Sequence, residues 1–179
     1  VAGLAIQHKS ETQFLRNLIM YSNINYVVAD NFDEVPNFPD SVLPHVRTEI
    51  LSYLTESQLN IVNLELNYLW SPKKNVYVKL NAGLFETMYG GIGSEIVYKP
   101  FDKLYSVGLE SFLVKRRGYK QDFKFLDYKT TTSHINLGYH FPDSGINIKL
   151  SYGKYLAKDK GYTFDISRRT KDGFTAGVY

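Results

Sequence analysis

Hydrophobic and polar residues alternate with a period of two along most of this chain. Val62, Leu64, Leu66, Tyr68 and Trp70 share one face of a predicted strand, opposed by Asn63, Glu65 and Asn67, and the run ends at Ser71-Pro72-Lys73-Lys74-Asn75. Val76, Val78, Leu80, Ala82 and Leu84 then oppose Tyr77, Lys79, Asn81, Gly83 and Phe85. The scheme recurs at Tyr105 to Leu113, His134 to Phe141, Ile146 to Gly153 and Tyr162 to Ser167. With Gly91 to Lys99 and the terminal Phe174 to Tyr179, and with Leu4 to Lys9, Leu18 to Ala29 and Arg47 to Tyr53 before residue 60, the pattern predicts roughly ten strands.

One face of these strands carries Lys, Glu, Asn and Ser together with Gly83, Gly108, Gly138, Gly153 and Gly177, while the other is aliphatic or aromatic. In a soluble sheet, glycine on the water-facing side only weakens the strand. In a membrane barrel the apolar face meets lipid, the polar face lines a lumen, and glycine lets the wall bend or something pack against it. Strands of about nine to eleven residues suit a tilted bilayer crossing. Tyr68, Trp70, Tyr105, Tyr139 and Tyr152 fall near strand ends, where an aromatic girdle sits. A β-sandwich shares the alternation, so strand length, ring position and the glycine face carry the choice. The expected fold is all-β, an antiparallel transmembrane β-barrel, partial, occupying residues 1–179 as a single region of a longer chain. The stretch 33–46, with Pro36, Pro39 and Pro44, reads as a long loop.

Composition refines this picture. The 179 residues suit one domain, and 15 tyrosines against one tryptophan favour a ring that can set its hydroxyl at a wet boundary. A net charge of +3 is too small and scattered for nucleic acid; Lys115-Arg116-Arg117 and Arg168-Arg169-Thr170-Lys171 read as solvated loops at strand ends. The absence of cysteine removes disulfides, thiol nucleophiles and Cys-based metal sites. No apolar run is long enough for a transmembrane helix, and Val1 to Ser10 has no signal-peptide pattern, so the chain reads as cytosolic, already processed, or part of something longer.

Catalytic signatures are sparse. His134 and His140 lie about 20 Å apart along one strand face, too far to share a metal. No Gly-x-Ser-x-Gly turn occurs, and Gly90-Gly91-Ile92-Gly93 precedes a strand rather than a helix, so a tight reversal explains it better than a phosphate cradle. Glu65, Glu95, Glu110 and Asp165 share the inward parity without a visible catalytic pairing. Tyr77, Lys79, Glu110, Lys149 and Arg169 remain as lining residues, offering polar groups and ring faces of the kind sugars use.

Gly90-Gly91-Ile92-Gly93-Ser94-Glu95-Ile96-Val97-Tyr98-Lys99-Pro100 resembles the YjbH/GfcD exopolysaccharide-biosynthesis family, as does Gly153 to Thr163, with Tyr155, Asp159 and Gly161 at its centre. The second stretch continues into Asp165-Ile166-Ser167-Arg168-Arg169, and Asp40 to Arg47, Lys115-Arg116 before Tyr119, and Asp127 to Thr130 support it. Lys154 and Lys158 stand where the family pattern leads one to expect Arg and Gly. The resemblance covers about residues 30–179. It implies an outer-membrane β-barrel lipoprotein of a Gram-negative bacterium, much longer than this chain, that secretes polysaccharide with other export proteins. Gly90, Gly91, Gly93, Glu95, Tyr98, Pro100, Tyr155, Asp159 and Gly161 are then structural. The expected function is non-enzymatic, with no cofactor or metal, and with outer-membrane lipid, polysaccharide and export proteins as partners. A soluble periplasmic carbohydrate-binding β-sandwich is the alternative, and an outer-membrane hydrolase using one of the carboxylates is a third reading.

Overall fold

The structure, a computed structural model, describes residues 2–32 and 46–179. The loop expected over 33–46 lies outside the described residues apart from Val46. Ten strands follow one another: β1 (Gly3–Leu15), β2 (Leu18–Asp30), β3 (Leu59–Lys73), β4 (Val76–Leu84), β5 (Tyr89–Tyr98), β6 (Tyr105–Arg117), β7 (Phe125–Phe141), β8 (Ile146–Lys154), β9 (Lys160–Arg169) and β10 (Thr175–Val178). Among the described residues one helix, α1 (Ile50–Thr55), stands between β2 and β3. All ten strands belong to one antiparallel sheet in chain order. Among the described residues β1 and β10 are its two edges, so the sheet is not closed into a barrel.

The registers separate the two faces cleanly. Between β7 and β8, His140 faces Asn147, Gly138 faces Lys149, Asn136 faces Ser151 and His134 faces Gly153, while Tyr139, Leu137 and Ile135 face Ile148, Leu150 and Tyr152. The next ladder continues both rows, setting Lys149 against Asp165 and Ser151 against Thr163, and Leu150 against Phe164. Because side chains alternate across a strand, a polar row here must be backed by an apolar one.

Burial is inverted relative to a water-soluble sheet. Ile135, Leu137 and Trp70 keep 50%, 48% and 53% of their surface, whereas Asn67 and Asn81 keep 2% and 6%. The buried hydrophobic side chains among the described residues are Tyr53, Leu84, Met88, Tyr89 and Val114.

The chain divides into two compact units, one of Val1–Tyr68, Asn81–Ile92 and Leu113–Thr130, the other of Leu69–Leu80, Gly93–Phe112 and Thr131–Tyr179. All five buried hydrophobics belong to the first. There Tyr53 of α1 is fully buried, and its carbonyl accepts a bond from Gln121 Nε2 at 2.6 Å.

Three local expectations are corrected. Residues expected as a strand, Arg47 to Tyr53, instead make a turn and the start of α1; Ile50, Leu51, Tyr53 and Leu54 satisfy a helical spacing as well as an extended one in so short a run. The reversal assigned to Gly90, Gly91 and Gly93 is made by Phe85 to Met88, with the Phe85 and Glu86 amides both donating to the Tyr89 carbonyl at 3.0 and 3.1 Å. The glycines lie within β5, where a side chain at Gly90 or Gly91 would collide with the Gly83 or the Leu113 carbonyl, so these two serve close backbone approach. Lys115-Arg116-Arg117 is not a solvated loop: it ends β6, with Arg116 and Arg117 only 8% and 0% exposed.

Candidate functional site

In the second unit, β5 to β8 bring polar residues together around a cavity of about 310 Å³ lined by Glu95, Lys99, Glu110, Asn136, His140, Asn147 and Lys149, among others. Two of its acids are already engaged. Lys79 Nζ lies 2.7 Å from Glu95 Oε1, and His134 Nδ1 lies 2.9 Å from Glu110 Oε1. His140 and Asn147, hydrogen-bonded to each other at 2.8 Å, also line a neighbouring groove of about 650 Å³ that continues past Ser144 to Arg168, Arg169 and Lys171. Glu110, Lys149 and Arg169 thus fall along adjoining spaces, and Lys79 contributes through Glu95. Tyr77 shares the strand parity of Lys79 but is 51% exposed and lines none of these cavities.

The motif at Gly153 to Thr163 closes the β8–β9 hairpin. The Tyr155 amide donates to the Asp159 carbonyl at 3.0 Å, and the Lys158 amide to the Tyr155 carbonyl at 3.1 Å. Tyr155 turns back so that its ring covers Gly161, packs on His134 at 4.6 Å between centroids, and bonds the Thr163 hydroxyl. Gly153 accepts no side chain because His134 and the Ser133 carbonyl fill that space. A ring covering glycine is a recognised way of stabilising a strand that lacks a side chain. Here it also holds His134, and so Glu110, in place. Tyr98, at the end of β5, is 42% exposed, and buried Pro100 starts the connection to β6, accepting from the Lys103 amide at 3.3 Å.

A second cluster, in the first unit, was not foreseen. Arg116 Nη2 pairs with Glu49 Oε2 at 2.6 Å, and its Nε donates to the Tyr53 hydroxyl at 3.1 Å; that hydroxyl donates to the Arg117 carbonyl at 2.6 Å. Tyr119 donates to the same Glu49 oxygen, and its ring meets Tyr53 edge-on at 5.0 Å. Arg117 donates to the carbonyls of Glu86, Ile61 and Gln121 at 2.6, 2.8 and 2.6 Å. Arg47 adds a bidentate pair to the Glu86 carboxylate at 2.7 and 2.8 Å, and Tyr89 donates to the Val46 carbonyl at 3.1 Å. The segment containing α1 is thereby clamped to the β4–β5 turn, the start of β5 and the end of β6, and Arg117 ties that end of β6 to β3. Burial raises the Tyr53 phenol above its ordinary range, and the bond to Glu49 raises that of Tyr119. The signal in the sequence is parity: Gly108, Glu110, Phe112, Val114 and Arg116 share one face of β6, so Arg116 continues the polar row.

Glu65 bonds Asn81 at 3.3 Å, and Asp165 faces Lys149 in register, so each inward carboxylate has a polar or cationic neighbour. Among the described residues no group of three or more His, Cys, Asp or Glu side chains is placed to hold a metal.

An all-β antiparallel sheet with one polar face and one exposed apolar face is thus the class of protein defined here. The chain belongs to the YjbH exopolysaccharide-biosynthesis family: a family model described as "Exopolysaccharide biosynthesis protein YbjH" matches residues 2–179. It is 36% identical over 160 residues to the lipoprotein YjbH of Escherichia coli (strain K12), an alignment covering 85% of this chain and 23% of that protein. The chain therefore spans about a quarter of the length of the curated relative it matches. No solved structure matches it.

Proposed function

We propose that this chain is a wall segment of an outer-membrane β-barrel in a Gram-negative bacterium, that it takes a non-catalytic part in exopolysaccharide or capsule secretion alongside other export proteins, and that its polar face lines the polymer's route. The observation that carries this reading is the inverted burial. Exposed Ile135, Leu137, Tyr139, Leu150, Tyr152 and Phe164 form one continuous face over β7 to β9. Soluble monomers seldom expose apolar patches beyond roughly 300 to 600 Å². Lipid removes that cost, at about 25 cal/mol per Å² of apolar surface withdrawn from water. A sandwich would instead press this face against a second sheet.

Within such a wall the open edges β1 and β10 take further strands, because each unpaired backbone group in lipid costs several kcal/mol. The lining role belongs to Lys79, Glu110, Lys149 and Arg169, with Tyr77 at the strand end. Family membership and the lipoprotein relative support the polysaccharide assignment and an envelope location.

The test is cell fractionation with the complete reading frame, followed by heated and unheated gel mobility in detergent. Recovery in the outer membrane with a heat-dependent shift is the expected result; a soluble periplasmic species would overturn the barrel. Replacing Lys79 and Lys149 together with Glu reverses charge beside Glu95 and opposite Asp165 and is expected to alter export or conductance while the heat shift persists. Unchanged export and conductance would remove the lining role.

A further inference from the structure

From the charge pairing around the two adjoining cavities, we infer that the polymer handled here is anionic, its carboxylate or phosphate groups meeting the unpaired cations that run from Lys149 to Arg169. This rests on the secretion reading and narrows its substrate class.

Of the cavity acids, Glu95 is ion-paired with the Lys79 ammonium, and Glu110 is held by His134, a contact that offsets its charge only with a protonated imidazole. Among the described residues Lys99 and Lys149 in the cavity, and Arg168, Arg169 and Lys171 in the groove, form no ion pair. The acids of the groove lining that form no ion pair among the described residues are Asp143 and Asp172, both in connections between strands. Asp165 lies across from Lys149 and tempers its field without an ion pair. The surplus is positive, and it is arranged along a line. Lys149 stands opposite Asp165, and Arg169 lies further along the same strand by about 13 Å at strand rise. His140 and Asn147, between them, supply further hydrogen-bonding groups.

A row of fixed cations separated by polar groups suits a polymer with a charge recurring along its length. A lone small anion would need only one end of it. The row begins on the polar face, at Lys149 and Asn147, whereas a lipid headgroup would approach from the apolar face, which favours polymer over lipid. Arginine contributes planar donors matched to carboxylate and phosphate, and lysine a mobile point charge.

The experiment is binding by calorimetry to the complete protein in neutral detergent, using an oligomannuronate as the acidic probe and maltohexaose as the neutral one. The expected result is at least about tenfold preference for the acidic oligomer, weakening as salt screens the charges. Lys149→Gln with Arg169→Gln should erase most of that preference while the heat-dependent gel shift stays intact; Lys9→Gln, on β1, should leave it unchanged. Equal binding of both probes, indifferent to salt and to the double variant, would overturn the anionic assignment and leave the secretion route standing. Binding of neither would overturn both. Displacement of the oligomannuronate by phosphatidylglycerol added to the detergent, but not by excess oligoguluronate, would reassign the row to lipid headgroups and overturn the proposal.

Discussion

Arg117 offers the sharpest test of how the first unit is held. Its guanidinium is fully buried at the end of β6, and its three best bonds go to the carbonyls of Glu86, Ile61 and Gln121 at 2.6 to 2.8 Å. Those carbonyls belong to the β4–β5 turn, β3 and the β6–β7 connection. Arg117→Met keeps most of the aliphatic stem but removes every donor. A hydrogen bond from a charged group contributes about 1.5 to 3 kcal/mol, but a carbonyl has a second lone pair and retains other partners, so about 1 to 1.5 kcal/mol per lost bond is the fitting scale. Three such losses give about 3 to 4.5 kcal/mol, and part of this is returned because a buried charge, whose desolvation costs several kcal/mol, is no longer present. The expectation is therefore a net loss of about 1 to 3 kcal/mol in reversible urea unfolding of the complete protein in detergent, read as a lower midpoint at unchanged slope. Arg168→Met, at an exposed site with one bond to the Ser144 carbonyl at 3.1 Å, should cost under about 0.5 kcal/mol. An Arg117→Met cost no larger than that of Arg168→Met would refute the clamp.

Three further expectations follow from local geometry. Tyr53 and Tyr119 both have raised phenol pKa values, the first through burial and the second through its bond to Glu49. A raised pKa means their contribution is complete below the unfolded tyrosine value of about 10 and is lost as pH climbs through the folded values above it. Amide exchange in α1 should accelerate above that pH together with phenolate absorbance; α1 protection that persists after both phenols ionise would contradict the linkage. Lys158, at φ +68°, occupies the left-handed region, which costs a non-glycine residue roughly 1 kcal/mol, so Lys158→Gly should be neutral or stabilising by up to about 1 kcal/mol in the same urea assay. Measured destabilisation beyond about 1 kcal/mol would show that the Lys158 side chain matters more than its backbone. Tyr155→Ala should uncover Gly161 and free His134, costing about 2 kcal/mol and broadening the His134 ring resonances, whereas Tyr155→Phe should cost only the hydroxyl bond, about 1 kcal/mol; equal costs for the two would show that the ring contributes nothing.

Much of the strand order was legible because a period of two survives any tertiary arrangement. The rows His134, Asn136, Gly138, His140 and Ile135, Leu137, Tyr139, Phe141 were assigned to opposite faces from the residues alone, and the β7–β8 register keeps them there. Polar extensions were harder to see. The amino-terminal half of β7, through Asp127, Lys129 and Thr130 to Thr132, and the continuation of β1 through Glu11 and Thr12 lack the apolar row that marks a strand. Cross-strand backbone bonds hold them, and those depend on the neighbour.

By itself the sequence determined the alternation, the two chemically distinct faces, the approximate strand count and the family likeness, since each is a property of neighbours along the chain. Tertiary structure alone decided which charges meet. Lys79 with Glu95, Glu110 with His134 and Arg116 with Glu49 are separated by 16, 24 and 67 residues, and their pairing depends on strand register or on how the α1 segment folds back. It also decided that Arg117 would be buried: a basic run at a strand end is ordinarily solvated, and only the convergence of carbonyls from three elements makes burial of that guanidinium tolerable.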